Sequence, residues 1–249
     1  MATKAVYIHK EDCHNDVSPS EIVPVLVDIF SPKSVVDIGC GIGIFLHYFA
    51  NAGVQKTIGV DGEWVNMKQL TEYIPEKDFV IADLEKDFAL NDHFDMAICL
   101  EVAEHLKESS ADSFISNLVK LSDVIIFSAA VPNQGGQNHI NEQWTSYWQE
   151  KFKKHGYKFH DVLRPIFWNN SKVDYWYKQN MFLVTNKDIS LFDTKLKKYS
   201  SEEKILPVIH PDLFNNRTEH LHSYEKLFKG KDGIKGYIEI IQSFLKRKF

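Results

Sequence analysis

The stretch Val35–Gly43, VVDIGCGIG, places a short apolar run directly before three glycines that alternate with other residues. An apolar run bounded by turn residues is typical of a buried strand, which we expect over Ser34–Ile38. Apolar residues at helical spacing follow it and predict a helix over Ile42–Asn51. Glycines at such a junction permit a tight turn and bring the backbone close to a ligand. The stretch therefore predicts a strand, a ligand-binding loop and a helix in succession.

The glycine spacing indicates which ligand the loop accepts. A dinucleotide-binding loop has the pattern G-x-G-x-x-G. This loop has G-x-G-x-G instead, with Ile44 in the position of the last dinucleotide glycine. Asp37, on the strand before the loop, would repel a pyrophosphate and attract an ammonium group. We therefore expect a zwitterionic or cationic ligand and disfavour a nicotinamide oxidoreductase; a purely structural glycine loop is the alternative.

Short apolar runs alternate with helical patterns along most of the chain. Strands separated by helices of about 10–15 residues predict a parallel, doubly wound sheet of the α/β class. The expected strands are Ser34–Ile38, Thr57–Val60, Phe79–Ala82, Phe94–Leu100, Asp123–Val131, Tyr157–Leu163 and Met181–Thr185. We expect an N-terminal arm and helix in 1–33, the sheet domain in 34–186, and a helical C-terminal appendage in 187–249.

Two further acidic residues follow successive predicted strands. Asp61 ends the second strand, and Asp83 follows the third, with Leu84 next to it. In a doubly wound sheet these positions meet at the carboxyl edge, where ligands bind. We expect Asp61 to accept hydrogen bonds from both hydroxyls of a ribose. We expect Asp83 to accept one from an adenine amino group while Leu84 packs against the ring.

Four motifs match, in order and spacing, those of class I S-adenosylmethionine-dependent methyltransferases. They are VVDIGCGIG at 35–43, IGVDG at 58–62, IADLE at 81–85 and ICLEVAEHL at 98–106. The chain resembles this family over about residues 15–186. The resemblance implies a Rossmann-like, mostly parallel seven-stranded sheet with an antiparallel last strand, and S-adenosyl-L-methionine as the cofactor. The cofactor-binding residues that it implies are Asp37, Gly39, Cys40, Gly41, Gly43, Asp61, Gly62, Asp83, Leu84 and Glu101.

A narrower resemblance concerns the acceptor. The segments 127–148, FSAAVPNQGGQNHINEQWTSYW, and 173–180, VDYWYKQN, are similar to bacterial methyltransferases encoded with polysaccharide or glycosylated-metabolite pathways. The resemblance implies a sugar hydroxyl as acceptor. The loop is rich in amides and aromatic residues, which pair with hydroxyls and cover C–H surfaces. The alternative is that Asn141 caps a helix over Asn141–His155 and that Trp144 and Trp148 are core residues one turn apart.

Two histidines are candidates for the group that takes the acceptor proton. Methyl transfer to an alcohol requires loss of the hydroxyl proton, and a histidine that titrates near neutral pH can act as general base. His139 lies in the amide-rich loop, and His105 follows Glu101 at a spacing that would put both on one face of a helical turn. Glu104 is a weaker candidate for polarising either histidine. In the alternative interpretation, His105 only packs behind the cofactor.

Composition excludes several function classes. The 249 residues carry a net charge of −5, which argues against a nucleic-acid-binding protein. Three cysteines without a C-x-x-C pair indicate a reducing compartment, and we expect a cytoplasmic protein without a signal peptide or membrane span. The tail histidines, His210, His220 and His222, lack the spacing of a closed zinc site, so no metal is expected. A divalent ion, which some sugar methyltransferases use, is the alternative.

The sequence therefore predicts a methyltransferase that acts on an oxygen of a glycan or glycosylated small molecule. N-methylation of an amino sugar or another amine is an alternative within the same class. A cofactor-binding subunit without catalytic activity is an alternative from a different class. The expected partner is the small-molecule or glycan acceptor, and the tail is a candidate for homodimer formation.

Overall fold

The computed structural model describes residues 16–192, 196, 208–228, 236–238 and 241–242. The predicted N-terminal arm before residue 16, with Cys13, lies outside the described residues. So do parts of the C-terminal appendage expected in 187–249. The chain divides into two compact units, Met1–Val208 and Ile209–Phe249. The three-part division expected from the sequence stays a prediction.

The first unit alternates strands and helices. Its strands are β1 Ser34–Ile38, β2 Lys56–Asp61, β3 Phe79–Ile81, β4 Met96–Leu100, β5 Val124–Ser128, β6 Lys158–His160 and β7 Phe182–Thr185. Its α-helices are α1 Val17–Phe30, α2 Ile44–Asn51, α3 Met67–Tyr73, α4 Ala111–Leu121, α5 Thr145–Lys153, α6 Arg164–Phe167 and α7 Tyr175–Asn180. Short 3-10 turns lie at Glu76–Asp78, Ala103–His105, Glu108–Ser110 and Ile189–Leu191.

The seven strands form one sheet in the order β3-β2-β1-β4-β5-β7-β6. The pairs from β3 to β5 are parallel, and β7 runs antiparallel to both of its neighbours. The predicted doubly wound sheet with an antiparallel last strand is confirmed. The strand order reverses between β1 and β4, so a crevice opens at their carboxyl ends.

Apolar residues cover both faces of the sheet, as parallel strands require. Successive residues of β1 belong to opposite cores: Val35 packs with α1 and α2, whereas Val36 packs with α4 and α5. Ile22 and Leu46 supply the first core, and Phe114 supplies the second. The side-chain alternation of a strand explains this division.

Several predicted boundaries differ from the structure. The helix expected from Ile42 starts at Ile44, because the loop extends through Gly43 with positive φ. The helix expected from Asn141 starts only at Thr145, so Asn141 does not cap it. Of the predicted core pair one turn apart, Trp148 is buried and Trp144 is exposed. The loop is longer than its sequence suggested because it folds back over the 3-10 turn at Ala103–His105.

The second unit contains one long helix, α8, over Pro211–Phe228. The helix begins at Pro211, a residue type that suits a first helical turn. Within the described ranges, no helix combines the length and apolar character needed to cross a membrane.

Candidate active site

The glycine loop between β1 and α2 lies at the switch point of the sheet. Gly39, Gly41 and Gly43 have φ values of 82°, 55° and 85°. A side chain at Gly39 would place its Cβ 2.3 Å from Cγ2 of Val102. The Gly39 N–H donates to the carbonyl oxygen of Val60 at 2.7 Å, which anchors the loop to β2. Only glycine fits here, because both the backbone conformation and the available space exclude a side chain.

Asp61, at the end of β2, holds the same loop from its other side. Its carboxylate accepts the N–H of Gly41 at 2.8 Å and the N–H of Gly62 at 2.6 Å. Burial raises the pKa of this carboxyl, while those two bonds and one from the Trp64 side chain lower it. A carboxylate offers about four lone-pair positions, so Asp61 retains capacity for hydroxyl donors. No sequence pattern indicates this role of Trp64.

Asp37 lies in β1, which pairs with β2 on one side and β4 on the other, and the residue is only 4% exposed. Burial, and then the neighbouring charge of Asp61, raise the pKa of Asp37 well above its usual range. Burial also raises the pKa of the Cys40 and Cys99 thiols well above their usual range. Cys40, in the glycine loop, and Cys99, in β4, are therefore packing residues rather than nucleophiles.

Asp83 and Leu84 follow β3 at the same edge of the sheet. Leu84 is buried in the core beside Val60 and Val102. The Asp83 carboxylate accepts the N–H of Glu85 at 3.2 Å and pairs with Lys86 at 3.0 Å. The structure thus places both residues where the sequence predicted them. Asp83 is engaged in its own turn.

Glu101 follows β4 in a left-handed conformation with φ of 56°, which a non-glycine residue adopts at a cost. Its N–H donates to both oxygens of Ser128. Its carboxylate accepts from the amides of Gln134 at 2.7 Å and Asn180 at 3.1 Å, and the Asn180 amide also donates to Gln134 at 2.8 Å. Burial raises the pKa of Glu101. We call Glu101, Gln134 and Asn180 the amide–carboxylate network.

The predicted helical face shared by Glu101 and His105 is wrong. Glu101 has a left-handed backbone conformation, so no helical turn includes it, and the 3-10 turn that follows spans only Ala103–His105. Gln134 belongs to the loop that the sequence marked as amide-rich. Asn180 ends the segment 173–180 that the narrower resemblance covers, but no role for it was predicted, because it comes from the end of α7 and reaches the site only through the tertiary fold.

The two candidate histidines lie together. The rings of His105 and His139 are 4.8 Å apart and nearly perpendicular. Burial, and then the charge of His139, lower the pKa of His105 to about 4, so this imidazole is neutral at neutral pH. Nδ1 of His139 lies 2.9 Å from Oε1 of Glu142. The structure therefore brings both predicted histidines into one cluster.

Glu104 completes this cluster. Its side chain is fully buried, and neither carboxylate oxygen has a hydrogen-bond partner among the residues that the structure describes. Burial, and then the charge of Glu101, raise the pKa of Glu104 well above its usual range. The nearby N–H groups of Glu104 and Ala130 lower the pKa in part, although neither is close enough or aligned well enough to form a hydrogen bond with the carboxylate. One ligand atom from each of Glu104, His105 and His139 lies within 4.8 Å of the others. The sequence pattern indicated no metal ligands, because His139 comes from a different loop.

Comparisons with known proteins identify the family. The sequence profile of the family described as "Methyltransferase domain" matches residues 14–170. The chain belongs to this family. It is an S-adenosylmethionine-dependent methyltransferase.

Individual relatives agree with this assignment. A methyltransferase of Invertebrate iridescent virus 6 is 25% identical over 209 residues, which are 80% of this chain and 76% of the viral one. The sugar N-methyltransferase of Streptoalloteichus shares the fold, with a TM-score of 0.53, 12% identity and coverage of 76% and 99%. The Synechocystis magnesium protoporphyrin IX methyltransferase with bound S-adenosylhomocysteine has a TM-score of 0.50, 19% identity and coverage of 69% and 83%.

The residues at the switch point suit this methyl donor. The glycines let the loop backbone pass close against Val102 and Ile74 at the switch point, and two buried carboxylates with raised pKa, Asp37 and Asp61, lie on β1 and β2 beside it. An ammonium group and ribose hydroxyls are the partners that such carboxylates need, since a buried charge is costly until it is paired.

Proposed function

We propose that this methyltransferase transfers its methyl group to a hydroxyl of a carbohydrate, in a glycan or a glycosylated metabolite. The observation that carries the proposal is the amide–carboxylate network beside the two histidines, at the carboxyl end of β4. Gln134 and Asn180 are buried there and oriented by Glu101. A buried amide with a fixed orientation offers both a donor and an acceptor. It therefore suits groups that both donate and accept hydrogen bonds, as sugar hydroxyls do.

The cofactor residues take the roles that their positions support. Gly39, Gly41 and Gly43 would wrap the methionine part, and Asp37 would act near its amine. Asp61 would accept from the ribose hydroxyls while holding the loop. The remaining assignments, to Cys40, Gly62, Asp83, Leu84 and Glu101, follow from the predicted resemblance.

The chemistry requires alignment and loss of a proton. The donor supplies a methyl group on a sulfonium, which is already activated toward displacement. Holding an acceptor in line with it can contribute about 7–11 kcal/mol. In this chain the amide–carboxylate network would hold the acceptor. His105 and His139 lie where the hydroxyl proton must be lost.

The test measures methyl transfer from radiolabelled S-adenosylmethionine to panels of hydroxylated sugars and amino sugars. We expect product with hydroxyl acceptors, and we expect His139→Ala to lower turnover about 100-fold while leaving S-adenosylhomocysteine affinity unchanged. The matched control is His155→Ala, which removes an exposed histidine at the end of α5 and should keep full turnover.

Other outcomes point to the other candidate functions. Product only with amines would replace the proposal by N-methylation. Binding of S-adenosylhomocysteine without product on any acceptor would favour a regulatory subunit. Full turnover in folded His139→Ala would remove His139 from the mechanism. The cytoplasmic location, the absence of nucleic-acid partners and the homodimer stay predictions.

A further inference from the structure

Glu104 presents a charge that nothing described in the fold compensates. Its side chain has no exposed surface, and within the described part of the chain neither of its oxygens accepts a hydrogen bond. Buried charges in proteins are ordinarily paired or coordinate a metal. A cation at this position would supply what the protein does not.

The groups around this carboxylate are those that a metal uses. One atom each from the Glu104 carboxylate, the His105 ring and the His139 ring lie within 4.8 Å of one another. These three residues come from two segments that the backbone ties together. The carbonyl oxygen of Glu104 accepts the N–H groups of Ile140 at 2.9 Å and Asn141 at 3.0 Å. The loop that carries His139 is therefore fixed directly over Glu104.

The surroundings of His139 set which of its nitrogens keeps a lone pair. Nδ1 lies 2.9 Å from the Glu142 carboxylate, which can only accept, so Nδ1 carries the proton and Nε2 keeps its lone pair. Glu142 is itself fixed by the N–H groups of Asn133 at 2.7 Å and Gly135 at 2.6 Å. A carboxylate behind the distal nitrogen is the usual arrangement for a metal-binding histidine.

Gly136 leaves room for this imidazole. A Cβ on Gly136 would lie 2.2 Å from Nε2 of His139. The loop therefore combines three devices that position one ring: a glycine, a backbone clamp on Glu104 and a carboxylate on Nδ1.

We propose that Glu104, His105 and His139 bind a divalent transition-metal ion. Two imidazoles and one carboxylate are ligands typical of catalytic sites for Mn²⁺, Fe²⁺ and Zn²⁺, which keep open coordination positions. The Glu101 carboxylate is held by Gln134 and Asn180, so it shapes the field around the ion rather than completing the set.

The catalytic role of this ion rests on the proposed function. An acceptor hydroxyl that binds at an open position becomes more acidic, because the ion stabilises the alkoxide. The hydroxyl proton leaves to solvent, the oxygen forms a bond to the methyl carbon as the C–S bond breaks, and the sulfonium becomes a neutral thioether. His139 then acts as a ligand rather than as a general base.

The experiment measures Mn²⁺ binding by calorimetry and by electron paramagnetic resonance, on full-length protein stripped with a chelator, without cofactor or acceptor. We expect one Mn²⁺ per chain. Glu104→Gln keeps the shape of the side chain and should weaken Mn²⁺ binding about 100-fold or more. That loss exceeds the typical effect of removing a residue that only supports a metal ligand. The matched control is Glu108→Gln, the same change at an exposed position one turn further on, which should bind like wild type.

Fold integrity is checked by circular dichroism and by thermal unfolding with increasing Mn²⁺. Ligand binding raises the Tm of the species that binds. The Tm of wild type and Glu108→Gln should therefore rise with Mn²⁺, while that of Glu104→Gln should not. His139→Gln, paired with His155→Gln as its control, repeats the comparison with a second ligand.

Failure of this inference and failure of the proposed function give different results. Equal Mn²⁺ binding by wild type and folded Glu104→Gln would overturn the metal site, even if sugar hydroxyls are methylated. Absence of binding by wild type would overturn it as well. Site-specific Mn²⁺ binding without methylation of any hydroxyl would retain the ion and reject the carbohydrate substrate. If both hold, turnover should vanish in chelator and return with Mn²⁺ in wild type only.

Discussion

Acidic side chains at the amino edge of the central sheet and the buried acids at its carboxyl edge have pKa shifts of opposite direction. At the amino edge, Asp95 precedes β4 and accepts the N–H groups of Lys33 and Ser34, which lower its pKa although burial raises it. Asp123 precedes β5, and its pKa is lowered first by a hydrogen bond from Asn186. At the carboxyl edge, burial raises the pKa of Asp37, Asp61, Glu101 and Glu104.

This difference in pKa direction separates the acids that stabilise the fold from those that are candidates for ligand binding. A carboxyl whose pKa is lowered on folding stabilises the native state at neutral pH, and one whose pKa is raised destabilises it. The amino edge therefore fixes the starts of the strands. The carboxyl edge keeps buried carboxyl groups whose pKa is raised, which is typical of functional sites.

The largest change in stability is expected when a glycine at the carboxyl edge is replaced by alanine and compared with the same replacement at the amino edge. Gly39→Ala should lose about 2–5 kcal/mol of stability, because it adds a clash with Val102 to the cost of a left-handed conformation. Gly53→Ala, before β2, has φ of 94° but open space around its Cβ, and should lose only about 1–2 kcal/mol. Urea unfolding measures both variants.

Cofactor affinity provides the second readout for this pair. S-adenosylhomocysteine titration should show weaker binding for Gly39→Ala and wild-type affinity for Gly53→Ala. Equal affinity in both variants would separate the glycine loop from the cofactor site.

Asp37→Asn should change stability and affinity in opposite directions. Removing a buried charge with raised pKa should increase the Tm of the unliganded protein at pH 7, and this gain should shrink as the pH falls toward about 4, where the unfolded carboxyl also protonates. S-adenosylhomocysteine affinity should fall about 10–100-fold, as for loss of a charged hydrogen bond. A lower Tm together with unchanged affinity would assign Asp37 to the fold alone.

Asp95→Asn should have the smallest effect and the opposite sign. Its pKa is lowered in the folded state, so its contribution is present above the unfolded pKa and disappears as the pH falls through the folded one. Because the residue is exposed, we expect a loss of only about 0.5–1.5 kcal/mol at pH 7. Denaturation at pH 7 and pH 3 should show the difference only at pH 7, with unchanged cofactor affinity. An equal loss at both values would mean that packing, not charge, is responsible.

The glycine loop and its acids could be predicted because they are local. Asp37, Gly39 and Gly43 lie within one strand–loop–helix unit, and Asp61 ends the next strand, where parallel topology places it at the same edge. The resemblance to methyltransferases added the cofactor.

The acceptor side was predicted only in part, since it combines distant segments. His139 and Gln134 were visible in a polar loop, but Asn180 and the backbone bond from Asn141 to Glu104 depend on how α7 and that loop pack. The expected helical pairing of Glu101 with His105 failed because no sequence pattern marked the left-handed residue.

Sequence by itself determined the alternation of strands and helices, the donor loop and the acids at three strand ends, since these follow from short-range periodicity and turn chemistry. Only the tertiary structure decided that Glu104 is buried without a hydrogen-bond partner among the described residues and that two imidazoles from separate segments lie beside it. Burial and convergence of distant side chains depend on the packing of whole elements, and no local pattern encodes that packing.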